Sequence, residues 1–290
     1  MSEGTFPLAI VGCGPAGLAA SIQAHRDGLE HRVMGDEPAG GLVPAAWRID
    51  NLPGHPAVTG EKLAERLAEQ ASRLDLPLVE DRVTAIERRG RGYRLLTSGG
   101  RTVPALAVIL ATGTRAARWH VPGTEEVAAG GALHRDVRSL PHRLEGLEVG
   151  IVGGGDAALD SALSVVRRGA SATLLVRSRT PNANARLVER VQRRGVALCT
   201  ATAVESLDVA QGRVRLGGAG MTVDHLMVCV GRAPRDDLYR MLVPDGPLPS
   251  TVATPLPGLY LAGDVIAGRD RFIARAMGDG QRAALLAARP

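Results

Sequence analysis

Leu8-Ala9-Ile10-Val11-Gly12-Cys13-Gly14-Pro15-Ala16-Gly17-Leu18 decides the fold, because an apolar strand pattern runs into a glycine turn and a helical stretch follows as far as Arg26. Taken alone, G-x-G-x-x-G also marks ordinary turns, so its place between strand and helix carries the reading. There Gly12 permits the tight turn, Gly14 lets a pyrophosphate approach the backbone, and Gly17 lets the helix pack on the strand. The helix N-terminus then faces the anion. The acid expected about 20 residues on, to hold a ribose hydroxyl, is present as Asp36 or Glu37 after the strand pattern around Val33.

The device returns later in the chain. Val149 to Val152 runs into Gly153-Gly154-Gly155-Asp156-Ala157-Ala158 and a helix from Leu159 to Arg167, fitting G-x-G-x-x-A. Here the ribose acid is missing, and Arg177-Ser178-Arg179 follow the apolar Thr173 to Val176. A carboxylate would repel a 2′-phosphate, whereas guanidinium groups bind it bidentately, so NADPH is expected over NADH. The alternative is that these arginines form a solvated face.

No long linker or low-complexity tract separates the two loops, which implies two interwoven α/β domains. Between them, residues 60 to 74 read as an amphipathic helix with Leu63, Leu67 and Ala71 on one stripe. Residues 82 to 110 alternate like short strands, and Ala107 to Leu110 reads as a buried one. Leu226 to Val230 gives a further strand before Gly231-Arg232-Ala233-Pro234. Leu259 to Ala262 gives another, followed by Gly263-Asp264 and a terminal helix from Ala274 to Ala288.

Composition agrees with buried parallel strands and helices. Apolar residues make up 45% of the 290 and aromatics only 2%, so Ala, Val and Leu must build the core. The net charge is +5, and Lys62 is the only lysine. Basic residues are scattered and stacking aromatics scarce, which argues against nucleic acid and for an acidic substrate or protein partner. The start Met1-Ser2-Glu3 has no basic n-region, and glycines and a proline interrupt the run from Pro7 to Ala20, so neither a signal peptide nor a membrane span is expected. Cys13, Cys199 and Cys229 form no C-x-x-C, which suits a reducing cytoplasm and offers no disulfide framework or metal site.

The order of Gly-Pro-Ala-Gly (14 to 17), Gly40-Gly41, Asn51-Leu52-Pro53-Gly54, Ala111-Thr112-Gly113, Gly153-Gly154-Gly155-Asp156 and Ala262-Gly263-Asp264 resembles the thioredoxin reductase branch of the pyridine nucleotide-disulfide oxidoreductase superfamily, over nearly the whole chain. The resemblance implies an α/β fold of two Rossmann-like, doubly wound dinucleotide-binding domains, usually in a homodimer. An NADPH domain of residues 118–231 would be inserted into an FAD domain of residues 1–117 and 232–290. It further implies that Gly12, Gly14, Pro15, Ala16, Gly17, Asp36, Glu37, Gly41, Leu42, Asn51, Val83, Ala111, Thr112, Gly113, Gly263, Asp264, Arg271, Phe272 and Ile273 line the FAD. Asp264 would hold the ribityl chain, and backbone N–H groups near Ile273 would face the electron-accepting edge of the ring. NADPH would meet Gly153, Gly154, Gly155, Asp156, Ala157, Ala158, Arg177, Ser178 and Arg179.

One departure from the family matters more than the match. Thioredoxin reductases carry a redox C-x-x-C just before the second glycine loop, and counting back from Gly153 places those positions on Asp136 and Ser139. Neither side chain carries thiol-disulfide exchange, which needs a thiolate and a sulfur leaving group. The chain is in this respect similar to the thioredoxin-reductase-like ferredoxin NADP reductases, which also lack the cysteines. The expected activity is therefore transfer from NADPH through FAD directly to an acceptor, either an acidic redox protein such as ferredoxin or flavodoxin or a small molecule. A disulfide reductase or dithiol oxidase using a partner's cysteines, and a non-catalytic FAD-binding redox sensor, are the alternatives.

Other residues carry weaker signals. Cys13 sits at a helix N-terminus that could lower a thiol pKa, but reads as a small residue filling a tight turn. Cys199 and Cys229 read as core. His134 and His142 could shuttle protons, but read as surface-loop residues. Trp47 either covers the flavin ring or packs ordinarily.

Overall fold

The computed structural model describes residues 5–289, and the reading drawn from Met1-Ser2-Glu3 lies outside them. Two units divide the described residues: one takes residues 5–44, Asp50–Arg115 and residues 233–289, the other Ala45–Ile49 and Ala116–Arg232.

The first stretch runs β1 (Phe6–Val11), α1 (Pro15–Arg26), β2 (His31–Gly35), α2 (Gly60–Arg73), β3 (Leu78–Glu80), β4 (Val83–Arg89), β5 (Gly92–Thr97), β6 (Thr102–Leu110) and β7 (Thr114–Ala116). The second unit adds α3 (Thr124–Ala129), β8 (Leu133–His134), β9 (Glu148–Val152), α4 (Asp156–Arg167), β10 (Ser171–Val176), α5 (Ala185–Arg193), β11 (Ala197–Thr200), β12 (Ser206–Ala210), β13 (Arg213–Gly217), β14 (Met221–Val223) and β15 (His225–Val228). The chain closes with β16 (Arg232–Pro234), α6 (Asp237–Leu242), β17 (Leu259–Leu261) and α7 (Ile273–Ala287).

In the first unit the sheet order is β3-β2-β1-β6-β5-β4, with β17 also on β6. Strands β3, β2, β1, β6 and β17 run parallel, while β4 and β5 join β6 as an antiparallel meander. β1 is apolar throughout because both its faces are covered. Leu8 and Ile10 pack with Ala16, Ala20, Ala283 and Ala284 of the two flanking helices, while Ala9 and Val11 pack with Ile86 and Leu95 of the meander. Helices α1 and α7 approach closely, since a Cβ on Gly280 would lie 2.8 Å from the Ala16 carbonyl carbon. On α2 the Thr59 hydroxyl accepts the Lys62 N–H at 3.2 Å as an N-cap, and Leu63, Leu67 and Ala71 are buried as their spacing predicts.

The second unit holds a five-stranded parallel sheet, β11-β10-β9-β15-β8, beside a separate antiparallel meander of β12 to β14. Both units thus build the doubly wound α/β architecture around a strand–glycine turn–helix opening. The meander of β12 to β14 is absent from the sequence reading, because its strands are short, bury few of their residues fully, and Gly217, Gly218 and Gly220 interrupt the pattern. Residues 45–49, counted by sequence with the first domain, belong to the second unit for a specific reason. The Trp47 N–H donates to Asp160 Oδ2 at 2.7 Å, and the indole packs against the second unit's core with the Arg190 guanidinium 5.4 Å from its centroid.

Candidate functional site

The first glycine loop lies at the C-terminal end of β1, beside the switch where the strand order passes from β1 to β6, which is where open α/β sheets bind ligands. Gly12 has φ +112°, its N–H donates to the Met34 carbonyl at 2.7 Å, and a Cβ there would stand 2.9 Å from the Ala111 carbonyl carbon. Gly17 is equally confined, its Cβ position being 2.9 Å from the Gly12 carbonyl carbon. Gly14 differs: nothing lies within 4 Å of its Cβ position, and its backbone is extended. It N-caps α1 without a side-chain hydrogen bond, Pro15 opens the helix, and the first turn holds no acid. The first N–H groups of a helix have no intrahelical partner, and the open space at the Gly14 Cβ position beside them is the cradle a pyrophosphate fills.

Neighbouring segments gather on this loop. Gly40 donates its N–H to the Cys13 carbonyl at 2.8 Å, and a Cβ on Gly41 would lie 3.0 Å from Gly14 Cα, so Gly40 and Gly41 run against it, with Leu42 next in the chain. Gly263 brings the turn containing the half-buried Asp264 within reach of α1, its Cβ position being 2.8 Å from Ala16 Cβ. That turn is held by the Gly263 N–H on Asp279 Oδ2 at 3.3 Å, and burial raises the Asp279 carboxyl above its ordinary pKa. At the ends of β2 and β6, Arg235 ties three expected residues together. Its carbonyl accepts the Thr112 hydroxyl at 2.6 Å, its N–H donates to the Gly113 carbonyl at 3.0 Å, and its guanidinium pairs with Glu37 at 3.3 Å. Asp36 faces Arg82 at 3.9 Å, and Val83, next to that arginine, is buried with Val11 and Met34. Asn51 is exposed, while Arg271, the exposed Phe272 and Ile273 lead into α7.

Cys13 is buried against Gly35, whose Cβ position is 2.9 Å from Cys13 Sγ. Burial, followed by the charges of Asp36 and Glu37, pushes its thiol up to about 11. The helix N-terminus does not prevail, and the cysteine fills a tight turn.

The second unit repeats the cradle. Gly153 has φ +144°, donates its N–H to the Leu175 carbonyl at 3.0 Å, and has its Cβ position 3.1 Å from both the Cys229 carbonyl carbon and Ala158 Cβ. Gly154 lies against Val176. Gly155 N-caps α4 with its nearest neighbour, the Asn182 carbonyl oxygen, 3.9 Å from the Cβ position. Asp156 and Ala157 are exposed in the first turn, and Arg177, Ser178 and Arg179 are exposed just past β10. Among the described residues neither Arg177 nor Arg179 has an ion-pair partner. Two cradles that a Cβ would fill, each opening at a helix N-terminus, fit dinucleotides.

Asp136 and Ser139 are engaged in a polar cluster of the second unit. Asp136 caps the turn Val137–Ser139 and pairs with Arg138 at 2.7 Å. Burial alone would raise its carboxyl, but the Arg138 side-chain and backbone hydrogen bonds and that guanidinium's charge outweigh it, and the pKa lies below the ordinary value. Ser139 Oγ donates to the Asp136 carbonyl at 2.7 Å and meets His134 Nδ1 at 3.1 Å. His134 is buried, not a surface-loop residue, because β8 sets it beside β15, where its Nε2 lies 3.1 Å from His225 Nδ1. Burial lowers both imidazoles' pKa values. His142 is exposed.

Cys199 and Cys229 cannot pair. Cys199 is in register with Leu175, Leu175 with Val152, and Val152 with Val228, which immediately precedes Cys229. Three strand spacings amount to about 14 Å, twice the roughly 7 Å Cα limit of a disulfide. Burial pushes the Cys229 thiol up to about 11.

Sequence reasoning missed Arg235, His225 and Asp160. The Gly231-Arg232-Ala233-Pro234 turn flags the neighbourhood of Arg235, whereas nothing local marks the other two. Asp160, half-buried where it accepts the Trp47 and Arg48 N–H groups, has its carboxyl raised to about 6 by desolvation.

A family model described as pyridine nucleotide-disulphide oxidoreductase matches residues 6–280. The chain is 29% identical over 307 residues to a bifunctional thioredoxin reductase/thioredoxin of Mycobacterium leprae, covering 99% of this chain and 66% of that protein. It is 29% identical over 304 residues to a thioredoxin reductase of Mycolicibacterium smegmatis, covering 99% and 97%. Among solved structures, the thioredoxin reductase of Lactococcus lactis matches with a TM-score of 0.84 at 24% identity over 98% of both chains, a likeness of fold.

Proposed function

We propose, from the premise that this chain belongs to the pyridine nucleotide-disulphide oxidoreductase family, that its flavin hands electrons directly to an external acceptor with no dithiol of its own between. The thioredoxin-reductase type within that family uses FAD and NADPH, and the chain is an FAD-dependent oxidoreductase of that type. In this reading the first unit holds FAD and the second NADPH. Bound FAD would accept a hydride from the nicotinamide and release its electrons singly or in pairs. The chain's own work is to bind and orient. The α1 N-terminus holds the FAD pyrophosphate, the α4 N-terminus holds that of NADPH, and Arg177 and Arg179 receive the 2′-phosphate.

The observation that supports direct transfer is the placement of sulfur. Asp136 and Ser139 occupy the expected dithiol positions and are spent on Arg138 and His134, while Cys199 and Cys229 stand too far apart to pair. The net charge of +5 favours an acidic redox protein such as ferredoxin or flavodoxin as acceptor for a cytoplasmic homodimer, with a small molecule the other candidate.

The test is a Cys13→Ala, Cys199→Ala, Cys229→Ala triple variant that still binds FAD. NADPH should bleach the flavin of parent and variant alike, and both should reduce an artificial one-electron acceptor at the same rate, with thioredoxin a poor substrate for each. Efficient thioredoxin turnover by the parent, lost in the variant, would make one of these cysteines the relay and overturn the proposal.

A further inference from the structure

The loop between β10 and α5 carries Arg177 and Arg179, and it is tied down at three places within the second unit. The Ser178 carbonyl accepts the Ala201 N–H at 2.9 Å, Asn182 bridges Gly155, and the Asn184 N–H donates to Asp156 Oδ1 at 2.7 Å. Of the three, only the last uses a side chain, and that side chain is charged. Asn184 in turn caps α5, its own Oδ1 accepting the Arg186 N–H at 3.0 Å.

An acid at Asp156 is an electrostatic liability. It opens α4 one residue after Gly155, at the helix end where a pyrophosphate would sit, and like charges repel. A carboxylate that only faced the phosphates would weaken both nicotinamide nucleotides equally. The geometry gives it other work, because its oxygen holds the point at which the arginine loop turns back over the glycine loop.

We infer that Asp156 is a positioning residue for the donor's 2′-phosphate: by pinning Asn184 it fixes the loop that presents Arg177 and Arg179 over the second glycine turn. The inference rests on the reading that the second unit binds NADPH. It makes Asp156 a determinant of nucleotide choice that acts without touching the phosphate it selects.

The test uses the full-length FAD-loaded protein and measures calorimetric binding of NADP+ and NAD+, together with hydrogen exchange of the Asn184 amide. Asp156→Asn keeps an oxygen acceptor, so Asn184 should stay protected and the preference for NADP+ should persist, while both nucleotides bind more tightly as the negative charge is removed. Asp156→Ala should expose the Asn184 amide and lower the NADP+/NAD+ preference about tenfold, the effect of losing one charge-assisted hydrogen bond. Asn184 has φ −57°, which proline accepts. Asn184→Pro therefore deletes the same donor from the other side, together with the Oδ1 cap of α5, and adding Asp156→Ala to it should lower the preference no further. Equal weakening of both nucleotides in Asp156→Ala, or an unchanged preference despite an exposed Asn184 amide, would overturn the inference alone. If the parent binds both nucleotides equally and Arg177→Glu changes neither affinity, the NADPH reading fails and the inference falls with it.

Discussion

Replacing Gly14 by alanine should abolish tight FAD binding while leaving the flavin-free fold intact, whereas the same change at Gly12 or Gly17 should damage the fold itself. At Gly12 an alanine must adopt φ +112° and crowd the Ala111 carbonyl. The conformational strain costs about 1–3 kcal/mol and the overlap a similar amount. Gly17→Ala drives a methyl group into the Gly12 carbonyl, where a Cβ fixed by its backbone meets backbone and neither can rotate away. For both variants the flavin-free melt should fall by roughly 5–15 °C. Gly14 has φ −76° and ψ −176°, extended values any residue adopts, and open space at its Cβ position. The entropy gained from a stiffer unfolded chain nearly offsets the poorer N-cap, so stability should stay within about 1 kcal/mol of the parent. The methyl group instead occupies the approach of the pyrophosphate. Displacing it from two backbone N–H donors costs about 3 kcal/mol, roughly 150-fold in Kd. Thermal melts of flavin-free protein and titrations followed by quenching of FAD fluorescence separate the two effects. Gly14→Ala binding FAD as tightly as the parent, or melting as low as Gly12→Ala, would refute the assignment of the cradle.

Asp160 supplies a pH test. Its carboxyl is raised to about 6 by burial, above the unfolded value, so the stability it contributes is fully present below pH 4 and is lost as pH rises through 6. Asp160→Asn, whose amide oxygen still accepts the Trp47 N–H, should gain about 1–3 kcal/mol over the parent between pH 4.5 and pH 8 in urea denaturation. A difference that does not change with pH would show that the burial does not govern this carboxyl. Arg177→Glu should erase or reverse a preference for NADPH over NADH, since a charge-assisted contact contributes about 1.5–3 kcal/mol. Equal kcat/KM for both donors in the parent would show that the arginines do not read the phosphate.

The amino-acid sequence determined both glycine turns, the strands that enter them, the helices that leave them and the stripe of α2, because these rest on local dihedral demands and on apolar periodicity within a dozen residues. Sequence also determined that no C-x-x-C exists for a relay. Only the tertiary structure decided what surrounds the turns. Arg235 reaches Glu37 across 198 residues, His134 reaches His225 across 91, and Trp47 reaches Asp160 across 113. The thiol chemistry followed the same rule. The helix N-terminus visible in sequence could lower the Cys13 thiol pKa, but desolvation by burial and the charges of Asp36 and Glu37 prevailed once the turn was packed. The separation of Cys199 from Cys229 came from the strand order β11-β10-β9-β15, which the position of neither cysteine in the chain reveals. Periodicity specifies which residues an element buries, whereas sheet order and register specify what they are buried against, and those arise only when distant segments pack together.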